Sequence, residues 1–339
     1  MAYRKIVVGV DGSSCGAHAL AVASALAQAC EARLTVVHAY EDRPDEDLVE
    51  AGVETAKAAG AKATGELVEG PAATAMLDLA ESKGTELLVF GSSGLDRSER
   101  HAIGSVPYRA SHRAPCDVLI VAEHETSGTA RIWDHIMIAT DGSPTADRAA
   151  RRGFELAGVL DAAVTLVFVG HPKTGELILN DTVATVGSEV KTTLRIERGE
   201  PAEKIIEAAE AGGARLIVIG NRGMSGAKRL LLGSVPQRVV EGAPRDVLVI
   251  RTVMQSLGEI RKGEGGVVDV GGEKLAVYRD ERGEAHAVSA KCTHMGCTVA
   301  WNPAEATWDC PCHGSRYSPD GQVINGPATK RLPPIAIEE

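Results

Sequence analysis

Lys5-Ile6-Val7-Val8-Gly9-Val10-Asp11-Gly12-Ser13 returns 130 residues later as His135-Ile136-Met137-Ile138-Ala139-Thr140-Asp141-Gly142-Ser143. Both stretches read as a short apolar strand running into an Asp-Gly-Ser turn. Leu87-Leu88-Val89-Phe90-Gly91-Ser92-Ser93-Gly94 returns as Leu216-Ile217-Val218-Ile219-Gly220-Asn221-Arg222-Gly223. Gly104-Ser105-Val106-Pro107 matches Gly233-Ser234-Val235-Pro236, and Ala114-Pro115-Cys116-Asp117-Val118-Leu119-Ile120 matches Ala243-Pro244-Arg245-Asp246-Val247-Leu248-Val249. A near-constant interval over four blocks means one structural plan used twice. Within each copy, runs of Val, Ile and Leu alternate with longer Ala-rich segments of helical spacing, such as Ala17 to Ala29 and Ala202 to Ala211. Continuous apolar strands alternating with helices imply a parallel sheet covered on both faces. The expected fold is two α/β domains in tandem, over residues 1–125 and 131–253.

The repeat stops near Val253. Gly258 to Gly266 reads as a linker or connecting loop. Beyond it, Val267-Val268-Asp269-Val270, Leu275-Ala276-Val277-Tyr278 and Ala285-His286-Ala287-Val288 are short strand-like pieces between turns. Residues 258–339 are therefore expected to form a small all-β domain. The 339-residue chain is 44% hydrophobic and 24% charged, which excludes a disordered chain or a fibre. No apolar run approaches the ~18 residues of a spanning helix, so no membrane association is expected. The N-terminus runs straight into a strand without a signal-peptide pattern, which points to the cytoplasm. A net charge of −10 argues against a nucleic-acid partner.

In each copy the fourth expected strand ends in a glycine loop: Gly91-x2-Gly94-x9-Gly104-Ser105, then Gly220-x2-Gly223-x9-Gly233-Ser234. Glycines there let backbone N–H groups approach a phosphate, and a helix starting at Gly-Ser adds its dipole and a hydroxyl. Ligands of open α/β sheets bind beyond the carboxyl ends of the strands, where Asp11 and Asp141 also stand. A carboxylate at that edge can accept hydrogen bonds from a base or a sugar. The alternative reading is that these glycines only make tight turns.

On the Asp-Gly-Ser turn and the G-x2-G-x9-G-S loop, the tandem resembles the ATP-binding subclass of the universal stress protein family. The resemblance implies two Rossmann-like five-stranded sheets packed as an internal pseudo-dimer, with a homodimer also possible. It implies ATP or another adenine nucleotide at a site lined by Asp11, Gly91, Gly94, Gly104, Ser105 and Val106. The counterparts are Asp141, Gly220, Gly223, Gly233, Ser234 and Val235. Ala39 and Val169, at the ends of the second strands, fall near the base. The second loop carries Arg222, Lys228 and Arg229 with no acid between Gly220 and Gly233. In the first loop Asp96, Arg97, Glu99 and Arg100 cancel. A triphosphate should thus prefer the second site. With no Walker lysine pattern and no evident general base, binding and sensing are expected rather than turnover.

Four of the seven cysteines cluster near the C-terminus, in Cys292-Thr293-His294-Met295-Gly296-Cys297 and Cys310-Pro311-Cys312-His313-Gly314-Ser315. Structural zinc is one reading of such ligands. Zinc sites normally pair ligands as C-x2-4-C, whereas each loop here supplies a Cys/His pair, the pattern of a [2Fe–2S] cluster with mixed ligands. The last ~80 residues resemble the Rieske family on these motifs. The resemblance implies Cys292 and Cys310 on one iron, His294 and His313 on the other, and a disulfide between Cys297 and Cys312. It places Pro327 in a third, covering loop and makes Ser315 and Tyr317 hydroxyl donors to the sulfurs. The expected role is one-electron transfer or redox sensing with an unidentified redox partner protein. The alternative is a ferredoxin-like subunit of a separate oxidoreductase or oxygenase system. Cys15, Cys30 and Cys116 read as core thiols.

Overall fold

The computed structural model describes residues 2–93, 103–122, 132–186, 190–221, 232–251, 257, 260, 262–270, 273–302, 305–310 and 313–337. The chain divides into two compact units, 1–251 and 252–339. The first copy of the repeat runs β1 (Lys5–Gly9), α1 (Ser14–Ala29), β2 (Arg33–Tyr40), α2 (Glu46–Ala58), β3 (Lys62–Glu69), α3 (Ala72–Lys83), β4 (Leu87–Gly91), α4 (Ser105–Arg113) and β5 (Asp117–Val121). The second runs β6 (His135–Ala139), α5 (Pro144–Leu160), β7 (Ala163–Val169), α6 (Pro172–Val186), β8 (Thr192–Glu197), α7 (Pro201–Gly212), β9 (Leu216–Gly220), α8 (Ser234–Gly242) and β10 (Asp246–Ile250).

The two copies do not keep separate sheets. Their ten strands form one sheet in the order β3-β2-β1-β4-β5-β10-β9-β6-β7-β8. Pairing is parallel within each half and antiparallel at the seam, where Val118, Leu119 and Ile120 face Val249, Leu248 and Val247. β5 and β10 would each be an edge strand alone, with a row of unpaired N–H and C=O groups. Pairing them satisfies both. Helices α1, α2, α5 and α6 enclose one apolar core and α3, α4, α7 and α8 the other. The central strands are buried on both faces, hence their unbroken Val/Ile/Leu runs. Cys15, Cys30 and Cys116 are buried, as expected.

Two carboxylates lock the seam. Asp117 Oδ2 accepts from Tyr3 OH (3.0 Å) and its Oδ1 from the Arg251 amide (2.9 Å). Asp246 Oδ2 accepts from Trp133 Nε1 (2.7 Å) and its Oδ1 from the Ala122 amide (2.9 Å). Each carboxylate thus holds an aromatic of its own half and the end of the other half's central strand. Burial pushes Asp246 up to about 7, although Trp133 and Ala122 pull the other way.

Residues 252–339 carry two small antiparallel sheets. One is β11 (Gly265–Val270), β12 (Glu273–Arg279), β13 (Ala285–Ser289) and β18 (Pro334–Ile335). The other is β14 (Ala300–Asn302), β15 (Thr307–Asp309), β16 (Arg316–Tyr317) and β17 (Val323–Asn325). Strand β11 takes in Gly265 and Gly266, which the sequence assigned to the connecting loop, because both pair with β12 opposite Tyr278 and Val277. Among the described residues, no helix is long and apolar enough to cross a membrane.

Candidate nucleotide and metal sites

In both halves the Asp-Gly-Ser turn caps a helix. Ser13 Oγ accepts from the Gly16 amide (3.0 Å) and Ser143 Oγ from the Ala146 amide (3.2 Å), closing the N-termini of α1 and α5. Asp11 Oδ1 in turn accepts from the Ser13 amide (3.0 Å) and hydroxyl (2.5 Å), and Asp141 Oδ1 from the Ser143 amide (3.0 Å). The first turns of α1 and α5 press onto the ends of β4 and β9. A Cβ on Gly91 would lie 2.8 Å from the Cys15 carbonyl carbon and oxygen, and one on Gly220 2.7 Å from Thr145 Cγ2. Only glycine allows that approach.

Helices α4 and α8 start differently. Gly104 and Gly233 stand at their N-caps in extended conformation, and neither helix has a side-chain cap. The glycine amides bond back to Ser92 O (2.7 Å) and Asn221 O (2.9 Å), which turns the N-terminus toward the carboxyl edge of the sheet. Uncapped N–H groups and the helix dipole make that end electropositive.

In the second half these elements surround a cavity of about 280 Å³. Of the residues singled out from sequence, Asp141, Val169, Gly220, Gly233, Ser234 and Val235 all line it. Gly223 lies outside the described residues, as do Gly94 of the first loop and every charged residue of the loop-charge comparison, Asp96, Arg97, Glu99, Arg100, Arg222, Lys228 and Arg229. The walls add Ala139, Thr140, Val167 and Ile219 from strand ends, and Pro201 and Ile205 from α7. The strand-end residues directly flank the motifs and were within reach of the sequence; Pro201 and Ile205 sit in no motif. In the first half, Asp11, Ala39, Gly91, Gly104, Ser105 and Val106 occupy the matching positions: the turn after β1, the end of β2, the end of β4 and the start of α4.

In the C-terminal unit two loops mirror each other. In one, the Cys292 amide bonds to Cys297 O (2.7 Å) and the Gly296 amide to Cys292 O (2.8 Å). In the other, the Cys310 amide bonds to Ser315 O (2.7 Å) and the Gly314 amide to Cys310 O (3.0 Å). The loops present two buried thiols, Cys292 and Cys310, and two exposed imidazoles, His294 and His313. The rings meet edge to face with centroids 4.9 Å apart. A third loop packs beneath: Gly326, at φ 106°, brings its Cα so near that a Cβ would lie 2.4 Å from Ser315 Cα. Ser315 Oγ accepts from the Ala328 amide (3.2 Å), so Pro327 sits between two anchored residues. Cys312 lies outside the described residues, and so does its expected pairing with Cys297.

Tyr317 OH lies 3.1 Å from Cys292 Sγ and within 3.2 Å of the Thr293 amide and hydroxyl. Thr293 Oγ1 also donates to Lys330 O (2.5 Å), a brace that no sequence motif announced. Burial pushes the Cys292 thiol up. Hydrogen bonds from Tyr317, the His294 amide, Cys310 and Ser315 outweigh it and hold the thiol below its ordinary range. Burial, then the bond to Cys292, raises Tyr317. A thiol poised toward thiolate beside a second buried thiol and two imidazoles fits a mixed Cys/His metal centre.

The model of the universal stress protein family matches residues 2–62, 45–122, 133–181 and 173–251, and that of the Rieske [2Fe-2S] domain matches residues 251–336. A Rieske 2Fe-2S iron–sulfur protein of Bacillus subtilis, YhfW, is 50% identical over 80 residues, covering 24% of this chain and 16% of that one. A universal stress protein of Mycolicibacterium smegmatis is 29% identical over 189 residues, covering 50% of this chain and 63% of that one. This chain therefore spans less than two thirds of either relative. A universal stress protein structure from Archaeoglobus fulgidus superposes with a TM-score of 0.59 at 20% identity, over 73% of this chain and 97% of that one, and shares the fold.

Proposed function

This chain belongs to the universal stress protein family and carries a Rieske [2Fe-2S] domain at its C-terminal end, and we propose that it binds adenine nucleotide, ATP foremost, and uses the cluster for one-electron transfer or redox sensing. The observation that carries the nucleotide half is the convergence of Asp141, Val169, Gly220, Gly233, Ser234 and Val235 on one cavity. The open N-terminus of α8, with the Ser234 hydroxyl, suits phosphate oxygens. The Asp141 carboxylate suits sugar or base donors, and the apolar wall of Val167, Val169 and Ile219 suits a base. The first half offers the same types at Asp11, Gly91, Gly104, Ser105 and Val106. Neither set includes an evident general base, so the reading is binding rather than turnover.

In the C-terminal unit Cys292 and Cys310 would hold one iron, and His294 and His313 the other. A [2Fe–2S] cluster supplies reversible one-electron chemistry when bound. The chain's own residues do the rest. Tyr317 and Ser315 hold the buried sulfurs by hydrogen bonds, and Cys297, Cys312 and Pro327 frame the loops. The exposed edge of His294, His313 and Met295 is where a redox partner protein docks. The cytoplasm is the proposed setting.

Calorimetric titration with ATP tests the first half. Saturable binding is expected in the wild type, with Val169→Trp, which fills the cavity, removing one site. Absence of saturable binding in the wild type overturns it. Visible and EPR spectra of anaerobically purified protein test the second. A reducible signal with histidine-ligated iron is expected, and a zinc-loaded, colourless protein overturns it.

A further inference from the structure

Residues 252–339 contain four Phe, Trp or Tyr side chains: Tyr278, Trp301, Trp308 and Tyr317. None is phenylalanine, although packing alone would be served as well by it. The chain's three Phe residues, Phe90, Phe154 and Phe168, all lie in the other unit. Three of them stack in a row, and Tyr317 is the cross-strand neighbour of its inner end. Tyr278 stacks on Trp301 with centroids 4.9 Å apart, and Trp301 meets Trp308 edge to face at 4.8 Å. Trp308 lies opposite Tyr317 in the β15–β16 pair, and Tyr317 OH reaches Cys292 Sγ at 3.1 Å. At the outer end the exposed His286 ring stacks over Tyr278 at 6.4 Å. Burial deepens along the row. Tyr278 and Trp301 are half-buried, Trp308 and Tyr317 fully so.

The row is built to hold Trp301 in place. Gly265 leaves room for it, since a Cβ there would lie 2.4 Å from the indole. Trp301 Nε1 is buried and has no hydrogen-bond partner among the described residues. That is costly for packing but useful for charge transfer. An oxidised indole is a strong acid, and without an acceptor it keeps its proton and stays able to pass the electron vacancy on. Trp308 Nε1 faces only a carbonyl, Pro319 O at 3.1 Å, which is no base either.

We propose that this row is an electron outlet, through which a one-electron oxidant of the oxygen-radical class at the His286–Tyr278 surface is quenched. The proposal rests on the Rieske reading above. An organic peroxyl radical, for example, takes one electron and the phenolic proton from Tyr278, or one electron from Trp301 and a proton from solvent, and becomes a hydroperoxide. Where Tyr278 reacts first, Trp301 returns its electron and solvent its proton, and the vacancy moves inward to Trp308. When the cluster is bound, one electron from the centre that Cys292 would hold crosses the intervening Tyr317, which keeps its proton, and fills the vacancy, so that centre would be oxidised by one electron and the aromatic side chains restored. The outlet needs no protein partner.

The test is pulse radiolysis of the reduced holoprotein with carbonate radical as oxidant. Two signals are followed: the transient indole and phenoxyl radical absorbance, and the return of the oxidised-cluster spectrum. The aromatic signal is expected to decay at the rate at which the cluster oxidises. Trp301→Phe should slow cluster oxidation by at least an order of magnitude and lengthen the remaining tyrosyl signal, with the EPR spectrum before the pulse unchanged. Cluster oxidation at the wild-type rate in Trp301→Phe overturns the proposal. Should that variant fail to assemble a cluster, Trp308→Phe, which breaks the row one step further in, decides by the same readout. An EPR-silent wild-type sample before any pulse overturns the Rieske reading itself, and the outlet with it.

Discussion

Tyr317 does most at the scale of one side chain. Its ring is fully buried, and its hydroxyl serves Cys292 and Thr293 together. A donor to a ligating sulfur favours the state with more negative charge, here the reduced one. Removing a hydrogen bond to a charged group costs about 1.4 kcal/mol or more, and a tenfold change in a one-electron equilibrium is about 59 mV. Tyr317→Phe should therefore lower the midpoint by on the order of 60 mV. Redox titration followed by EPR measures it, and an unmoved midpoint would remove Tyr317 from that role. Ser315 is less clean a probe, because its Oγ also anchors the Ala328 amide.

Among the elements, the helix N-termini divide into two kinds with separable consequences. α5 is closed by its own Ser143, whereas α8 has no side-chain cap. Ser143→Ala should cost about 1 kcal/mol in denaturant unfolding, the usual loss of an N-cap. Ser234→Ala should stay within about 0.5 kcal/mol, since it removes no cap. The same Ser234→Ala change should weaken ATP binding in a calorimetric titration. If Ser234→Ala destabilises the fold and leaves ATP affinity alone, the α8 terminus is structural only.

At the scale of the 1–251 unit, the seam between β5 and β10 carries its own pH dependence. Asp246 is pushed from 3.8 to about 7 by burial, so between those values the folded chain holds a proton that the unfolded chain releases. Its contribution is therefore fully present below the unfolded value and is lost as pH rises through about 7. Asp147, pushed up to about 6 first by burial and then by Asp181, adds the same sign at lower pH. Unfolding free energy of this unit should fall as pH rises from about 5 to about 8, by at most ~1.4 kcal/mol per pH unit for each group. Asp246→Asn should flatten the upper part of that slope. It should also lower stability throughout, because the amide offers one acceptor oxygen where Ala122 and Trp133 need two. A wild-type profile that rises over this range refutes the assignment.

The sequence by itself determined the repeat, the alternation of strands and helices, the glycine loops and the Cys/His pairs. These are local: strand and helix periods, turn residues and ligand spacing act over a few residues, and a chain used twice repeats them visibly. Six residues that the family resemblance placed at a nucleotide site line one cavity, and the two cysteine loops fold as mirror pairs. Tertiary structure alone decided the rest. That β5 joins β10 in antiparallel register, making ten strands one sheet, follows from two edge strands satisfying each other's backbone groups, and no local pattern encodes which edges meet. Pro201 and Ile205 reach the cavity because α7 packs beside β7, not because any motif contains them. Tyr278, Trp301, Trp308 and Tyr317 read as scattered core aromatics along the chain. Only the pairing of β14 with β15 and β15 with β16, and the contact of Tyr278 with Trp301, bring them together. Contacts between residues distant in sequence depend on how whole elements dock, and docking is settled by the burial and hydrogen bonding of the finished fold.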